Sequence, residues 1–279
     1  MSGIPTESRI FADRYLRETR RLEKQHAGLL TPGAENWTEA LRDIAPRLSR
    51  IGSPIKRVAA LRSQVVDVLN EIAATPEAIR HLGLRYRQAS RSATFDFATF
   101  SADPNPIAGA GDEDGLSILM HRIRCDRRSV ELITNIHIAY IARHAIGRLH
   151  ERQRNLTGWK ATAAFVLVGA LGYLTRNSEA HADSALHLRL DDVLLVGSSK
   201  PAVKRASDGA DYDNTLIDVR TTLSADEGCD PAALEQGRIA TRVALEWLAQ
   251  RGETRKLAET IPPLAWRGGD FTSRVAVRA

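Results

Sequence analysis

The hydrophobic pattern changes its period within residues 133–154, ITNIHIAYIARHAIGRLHERQR. The first half alternates as a half-buried β-strand does, with an apolar residue at every second position. The residues that carry this alternation are Ile136, Ile138 and Tyr140. In the second half, His144, Arg148 and Arg152 recur every fourth residue, which places them on one face of a helix. The segment therefore predicts a strand that leads directly into a helix with a mostly cationic stripe.

A histidine one helical turn away from an arginine suits the chemistry of a phosphodiester. Histidine is the side chain that most readily exchanges a proton near neutral pH, so His144 is a candidate acid or base. Arg148 stays charged and can hold phosphate oxygens while negative charge develops in the transition state. The alternative is that Arg148 and Arg152 form surface ion pairs and that His144 caps the helix or lies in the core. The spacing alone leaves both interpretations open.

Helical patterns dominate the N-terminal part of the chain. Apolar residues at helical spacing predict amphipathic helices over residues 8–27, 38–51 and 54–75. A proline at the first position favours a further short helix over residues 76–82. We therefore expect a helical N-terminal region over residues 1–84.

Alternating patterns replace the helical ones after this region. Strands are predicted within segments 85–100, 116–124, 129–141, 185–197 and 215–223. Segments 157–174 and 231–251 predict two further helices, the first apolar on almost every side and hence central. The composition of segment 198–214 is typical of a mobile hairpin loop. Together they predict an α+β fold, with a curved antiparallel sheet packed with helices in a core domain over residues 85–279 that ends in a helix and a tail.

The overall composition is that of a soluble globular protein. The chain has 279 residues, of which 43% are hydrophobic and 26% charged, and it carries only two cysteines, Cys125 and Cys229. Two isolated cysteines cannot build a disulfide framework, which favours a reducing compartment. The N-terminus lacks the apolar core of a secretory signal, and the longest apolar run, 161–174, is shorter than the roughly 20 residues of a membrane span. We expect a cytoplasmic protein without a membrane partner.

Charge is distributed unevenly along the chain. The net charge is +5, but residues 121–160 carry +6 and residues 205–235 carry −6. Basic side chains on and between the predicted strands would project from one sheet face and could follow a phosphate backbone. The residues of this set are Arg80, His81, Arg85, Arg87, Arg91, Arg122, Arg124, Arg127 and Arg128. The alternative is an ordinary solvated sheet face.

A second group of polar residues has the composition of a metal site. It consists of His181, Asp183, His187, Asp191, Asp192, Asp208, Asp211 and Asp213. Imidazole and carboxylate groups bind Mg²⁺, Mn²⁺ or Zn²⁺. No Glu-x-Lys or Asp-x-Lys tripeptide follows the aspartate pair, as a metal-dependent nuclease of the restriction-endonuclease type would require. We therefore favour turn carboxylates and helix caps, and expect no metal or other cofactor.

The His-Ala-x-x-Arg-x-x-x-Arg helix and the elements that follow it resemble toxin-like ribonuclease domains of the RelE/barnase/EndoU/colicin superfamily. The resemblance covers residues 129–223, and it implies catalytic roles for His144, Arg148 and Arg152. It also implies a substrate contact from Thr221 or Thr222 on a late strand. Residues 1–80 and the C-terminal helix lie outside the resemblance, and the long insertions and the acidic block 205–235 depart from the family pattern.

The resemblance implies a mechanism without a metal. A base, either His144 or His137, would remove the 2′-hydroxyl proton of RNA, and the 2′-oxygen would then attack the adjacent phosphorus. Arg148 and Arg152 would stabilise the phosphorane charge, and an acid would protonate the 5′-oxygen as its bond to phosphorus breaks. His150 lies off the stripe and is expected to be structural or to face solvent.

Three functions follow as hypotheses. The first is a metal-independent ribonuclease with His144, Arg148, Arg152 and Thr222 as catalytic residues, acting on RNA rather than DNA. The second is a nucleic-acid-binding protein without catalysis, which would use the basic sheet face. The third is a structural subunit that forms homo-oligomers through its N-terminal helices.

Overall fold

The computed structural model confirms the α+β class. It describes residues 5–73, 81–104, 106–107, 114–153, 158–175, 185–190, 192–205, 211–224 and 229–249. Within these residues, N-terminal helices come first, and a curved seven-stranded sheet packed with further helices follows.

The N-terminal helices follow the predicted pattern closely. They are α1 (Thr6–Leu30), α2 (Trp37–Ser49), α3 (Pro54–Leu61) and α4 (Asp67–Ala73). Asn36 caps α2 by accepting a hydrogen bond from the backbone N–H of Glu39 at 3.0 Å. A π-helical turn, Arg62–Val66, separates α3 from α4 within the single helix predicted for this segment.

The sheet differs from the prediction in one respect. Its strands are β1 (His81–Ala89), β2 (Ser92–Pro104), β3 (Asp114–Cys125), β4 (Val130–Ala142), β5 (Ala185–Leu190), β6 (Val193–Arg205) and β7 (Asp211–Ser224). In the order β1-β2-β3-β4-β7-β6-β5, every pair is antiparallel except β4 and β7, which run parallel. The sheet is therefore mixed. The long connection that follows β4 brings the chain back so that β7 pairs with β4 and runs in the same direction.

Two segments adopt strand where the sequence predicts something else. His81 and Leu82, assigned above to a short helix, begin β1, while residues 74–80 lie outside the described residues. Segment 198–214, expected to be a loop, is mostly strand, because β6 and β7 extend into it as a long antiparallel pair. Cross-strand pairing outweighs the polar composition there.

Three further helices complete the described fold. They are α5 (Arg143–Arg152), α6 (Gly158–Thr175) and α7 (Pro231–Ala249). β4 leads directly into α5, as predicted, and residues 161–170 of α6 are all buried. None of the helices that the structure describes has the length and hydropathy of a membrane span.

Two hydrophobic clusters hold these layers together. The larger one surrounds α6 and joins it to the inner faces of β2 to β7, to α5 and α7, and to the first half of α1. The second joins α2 to α4 and the end of α1 to β2 and β3, with Trp37 and Phe97 in edge-to-face contact at 6.2 Å between ring centroids. Because α1 contributes to both clusters, the helical region packs on the sheet. The proposed domain boundary after residue 84 stays a prediction.

Candidate functional sites

Helix α5 is oriented by its apolar side and by two contacts to α1. The apolar side is formed by Ala145, Ile146 and Leu149, which are fully buried. Arg143 donates to Asp13 at 2.7 Å, and the ring of His150 stacks on Phe11 with 4.3 Å between ring centroids. These contacts face α1, so helical geometry places the cationic stripe on the opposite flank of α5. His150 has the structural role expected from its position off that stripe.

The cationic stripe is half-buried. Arg148 donates from Nη1 to Oε2 of Glu151 at 2.7 Å, and only 15% of its side chain is exposed. His144 and Arg152 are also half-buried. Arg148 therefore stabilises its own helix through an i,i+3 ion pair, as in the alternative interpretation of the stripe. A substrate phosphate would have to compete with Glu151 for this guanidinium.

Thr222 lies close to the start of α5. Its side chain is buried, and Oγ1 donates to the backbone carbonyl oxygen of Ala145 at 3.1 Å. Ala145 follows His144 directly, so the structure brings the predicted strand and the predicted helix together. The hydroxyl of Thr222 is engaged with the backbone, whereas the neighbouring Thr221 is half-exposed. The catalytic role of Thr222 stays a prediction.

The arginines predicted for nucleic-acid binding fall into different environments. Arg122 forms a bidentate ion pair with the buried carboxylate of Asp96. Arg80 and the side chains of His81 and Arg85 lie outside what the structure describes. The remaining members of the set are exposed at one end of the sheet, and we call them the arginine surface: Arg87, Arg91, Arg124, Arg127 and Arg128.

The strand register brings the arginine surface together. Arg87 and Arg124 lie on either side of Thr94 in the β1-β2-β3 register, so the two arginines share one sheet face. Arg91 lies in the β1–β2 turn, and Arg127 and Arg128 lie in the β3–β4 turn. Both turns close hairpins at the same end of the sheet.

The β3–β4 turn is fixed by the carboxylate of Asp126. Its Oδ1 accepts the backbone N–H groups of Arg128 and Ser129, both at 2.7 Å, which lowers the pKa of Asp126. From below, Arg57 of α3 donates to the Asp126 carbonyl oxygen at 2.8 Å. The turn therefore presents Arg127 and Arg128 from a rigid backbone, and Asp126 has its carboxylate occupied by backbone donors.

A polar cleft lies between the N-terminal helices and the sheet, away from the two turns that carry the arginine surface. It has a volume of about 810 Å³, within the roughly 300–1,000 Å³ typical of small-molecule sites. Its walls come from α1, α2, the end of β2 and the middle of β3 and β4. Hydroxyl, carboxyl, amide and imidazole groups line its centre: Glu23, Thr38, Ser101, Asn135 and His137. Of the predicted catalytic candidates, His137 is the one that the structure places in this cleft.

Glu23 is the titrating group of the cleft. Burial, with a smaller contribution from the neighbouring Asp103, raises the pKa of its carboxyl to about 7. The Ser101 hydroxyl donates to Oε2 at 2.8 Å and acts in the opposite sense, as do the Trp37 backbone N–H and Arg20. A carboxyl with such a pKa can both give and take a proton at neutral pH.

Buried polar side chains continue from the cleft across the same sheet face. Thr99 and His121 are fully buried and form a hydrogen bond of 2.8 Å. Ser117 lies beside Ser101 in the register and is also fully buried, with no hydrogen-bond partner for its Oγ among the described residues. Tyr140 and Asp218 extend the row across β4 and β7. Burial raises the pKa of Asp218, while Arg220 lowers it.

The structure describes only part of the predicted His/Asp group. His181, Asp183, Asp191 and Asp208 lie outside the described residues, and the side chains of Asp211 and Asp213 are not described either. His187 is half-buried on β5, and Asp192 is exposed in the β5–β6 turn. Within the described part of the chain, no three His, Cys, Asp or Glu side chains lie together as a metal site would need.

The sequence patterns missed the Glu23–Ser101 pair. Glu23 belongs to an amphipathic helix in which charged residues are common, and Ser101 ends a strand. The available signal was the replacement of apolar residues by Thr99 and Ser101 at alternate positions after Phe97, which indicates a polar patch on one strand face. No protein-family model, curated protein or solved structure matches this chain. A function therefore has to be inferred from the sites themselves.

Proposed function

We propose that this protein binds nucleic acid, RNA in preference to DNA, through the arginine surface. The observation that carries the proposal is the grouping of five exposed arginines at one end of the sheet. Arginine guanidinium groups hold phosphate oxygens in bidentate fashion, and phosphate contacts supply most of the affinity for a nucleic acid.

The acidic groups near the arginine surface do not cancel its positive charge. The carboxylate of Glu131 lies 3.8 Å from Arg124, and both side chains are more than half exposed, so this pair is weak. Asp126 directs its carboxylate to backbone N–H groups. The rigid turn also reduces the entropy lost when Arg127 and Arg128 bind a phosphate.

Salt dependence tests the proposal directly. We would measure binding of a fluorescently labelled single-stranded RNA by anisotropy over a series of salt concentrations, for the wild type and for an Arg127→Gln/Arg128→Gln variant. Each phosphate contact to a single strand contributes about 0.7 to the slope of log K against log salt, so the variant should lose about 1.4. A single-stranded DNA of the same sequence tests the preference for RNA.

The matched control removes the same charge elsewhere. Arg14 and Arg17 are exposed on α1, so an Arg14→Gln/Arg17→Gln variant has the same net charge as the test variant. It should keep the wild-type slope. An equal loss of slope in both variants would show that only the net charge matters. A wild-type protein that does not bind RNA would refute the proposal.

A second candidate function is RNA cleavage at the cationic stripe of α5. The contact between Thr222 and Ala145 favours it, because it brings the late strand next to His144, as the resemblance implies. His144 would act as the base and Arg148 would hold the phosphorane, once it is released from Glu151.

A cleavage assay distinguishes RNA binding from RNA cleavage. We would incubate labelled RNA with the wild type and with a His144→Ala/Arg148→Ala variant, in EDTA and in Mg²⁺. A ribonuclease should cleave in both buffers, and the variant should not. If the wild type binds RNA but leaves it intact in both buffers, the binding function stands alone.

A further inference from the structure

We propose that the polar cleft between α1, α2 and strands β2 to β4 is a binding site for an uncharged, polyhydroxylated molecule such as a sugar, with Glu23 and Ser101 contacting its hydroxyl groups. This site is separate from the arginine surface. Its β2 residues, 101–104, pair with the start of β3, whereas the arginine surface lies at the end of β3. The proposal is therefore independent of RNA binding.

The chemistry of the central residues favours hydroxyl groups as ligands. Ser101 and Thr38 provide hydroxyls, Asn135 an amide, His137 an imidazole and Glu23 a carboxyl. Thr38 donates to Oδ1 of Asn135 at 2.7 Å, and Ser101 donates to Glu23 at 2.8 Å. The two hydroxyl oxygens can still accept from a sugar hydroxyl, and the Asn135 amide N–H can donate to one. Ser101 and His137 are at least nine-tenths buried, so the floor of the cleft is shaped by fixed side chains.

The charges around the cleft disfavour a strongly charged ligand. Cations and carboxylates are mixed along its lining, where Arg20, Lys24 and Arg42 face Glu23, Glu35, Glu39 and Asp103. Several are already paired: Arg20 with Asp114 at 2.7 Å and Lys24 with Glu35 at 2.6 Å. A phosphorylated ligand would meet carboxylates at close range, and an ammonium ligand would meet the cations.

The apolar part of the lining is small. It consists of Ala102, Pro104, Pro106 and Leu119, and no Phe, Tyr or Trp ring belongs to the described lining. The imidazole of His137 is nine-tenths buried, so it offers little ring face for stacking. Nucleobases bind preferentially by stacking on aromatic rings. The cleft therefore fits a sugar better than a nucleobase.

The Glu23 carboxyl gives the site a defined proton donor and acceptor. This carboxyl is surrounded by Ser101 and Asp103 of β2, by Arg20 of α1 and by the backbone N–H of Trp37 in α2. When protonated, Glu23 can donate to a ligand oxygen, and when ionised it can accept from a ligand hydroxyl. A polyhydroxylated ligand can use either form.

Ligand-observed NMR and calorimetry test the site on the full chain. The probes are uncharged sugars, namely glucose, maltose, cellobiose and lactose, with inorganic phosphate and adenosine monophosphate as charged comparisons. At least one sugar should bind saturably at neutral pH. The variants Ser101→Ala and Glu23→Ala should each weaken its binding by about tenfold, because a buried hydrogen-bonding group of the complex loses its partner.

Two further variants keep the result interpretable. Glu7→Gln changes an exposed carboxyl on the same helix and should bind the sugar as the wild type does. Thr38→Val, on the opposite wall, should also weaken binding, and it replaces Ser101→Ala if that variant fails to fold. Absence of binding by all four sugars, tighter binding of phosphate or adenosine monophosphate in the cleft, or sugar binding that the cleft variants do not change would overturn the proposal.

Discussion

Asp96 and Arg122 form a two-point ion pair between neighbouring strands. Nε of Arg122 donates to Oδ1 of Asp96 at 2.7 Å and Nη2 donates to Oδ2 at 2.8 Å. The Tyr173 hydroxyl of α6 adds a third hydrogen bond to Oδ2 at 3.0 Å. Asp96 is fully buried, and its hydrogen bond raises the pKa of the Arg122 guanidinium. The Asp96 carboxylate therefore links β2 to β3 and to α6, and Arg122 supplies its counter-charge.

Removing the carboxylate should be costly. Asp96→Ala leaves the guanidinium of Arg122 partly buried without its counter-charge, which typically costs about 3 kcal/mol of unfolding free energy. Chemical denaturation measures this loss. Glu131→Ala removes the exposed partner of Arg124 and should cost less than about 0.5 kcal/mol. Similar losses in the two variants would show that burial of Asp96 is unimportant.

Thr222 provides a test of structural against catalytic roles. Thr222→Val removes the hydrogen bond to Ala145 while keeping the shape of the side chain, and it should cost about 1 kcal/mol in unfolding free energy. Thr222→Ser keeps the hydroxyl but loses a buried methyl group, so it should also cost about 1 kcal/mol while keeping the hydrogen bond. If the protein cleaves RNA, a loss of cleavage by Thr222→Val under conditions where it is fully folded would favour the predicted catalytic role.

Two glycines on α6 should respond differently to alanine. A Cβ atom at Gly172 would overlap the carbonyl oxygen of Ile138 and lie 2.9 Å from its carbonyl carbon, so α6 would have to move away from β4. We expect Gly172→Ala to destabilise the fold by about 3 kcal/mol. At Gly169 the nearest atom is the Cγ2 methyl of Ile118 at 3.1 Å, which would have to move by only a few tenths of an ångström.

The helix preference of alanine offsets that smaller strain, so Gly169→Ala should change stability by less than about 1 kcal/mol. Thermal unfolding of both variants measures the difference. A Gly172→Ala variant as stable as the wild type would contradict the close approach of α6 to the backbone of β4.

Glu23 should make stability depend on pH. Its folded pKa of about 7 lies above the ordinary value of 4.5, so the folded state holds the proton more tightly. The resulting stabilisation is complete below about pH 4.5 and is lost as the pH rises through about 7. Relative to Glu23→Gln, the wild type should lose about 2 kcal/mol of unfolding free energy across this window.

Denaturation at a series of pH values measures the difference, and the carboxyl ¹³C shift of Glu23 reports its titration directly. Glu7→Gln, on the exposed side of α1, should keep the wild-type pH profile. A Glu23→Gln variant with a profile parallel to that of the wild type would show that burial does not perturb this carboxyl.

Local patterns determined much of the architecture. The change of period after Tyr140 predicted β4 and α5 with their junction, since each element has its own spacing of buried residues. The apolar composition of segment 157–174 predicted α6 at the centre of the fold. Arg87 and Arg124 belong to the basic residues predicted to share a sheet face, because alternation along a strand fixes which side chains share a face.

Only the tertiary structure decided which distant residues meet. The parallel pairing of β4 with β7 joins Tyr140 to Asp218, and neither strand carries a local sign of its partner. The same holds for Glu23 and Ser101, which are 78 residues apart, and for Arg122, whose guanidinium is bound to Asp96. Periodicity reports which face of an element is buried, whereas the partner on that face is set by how the elements pack together.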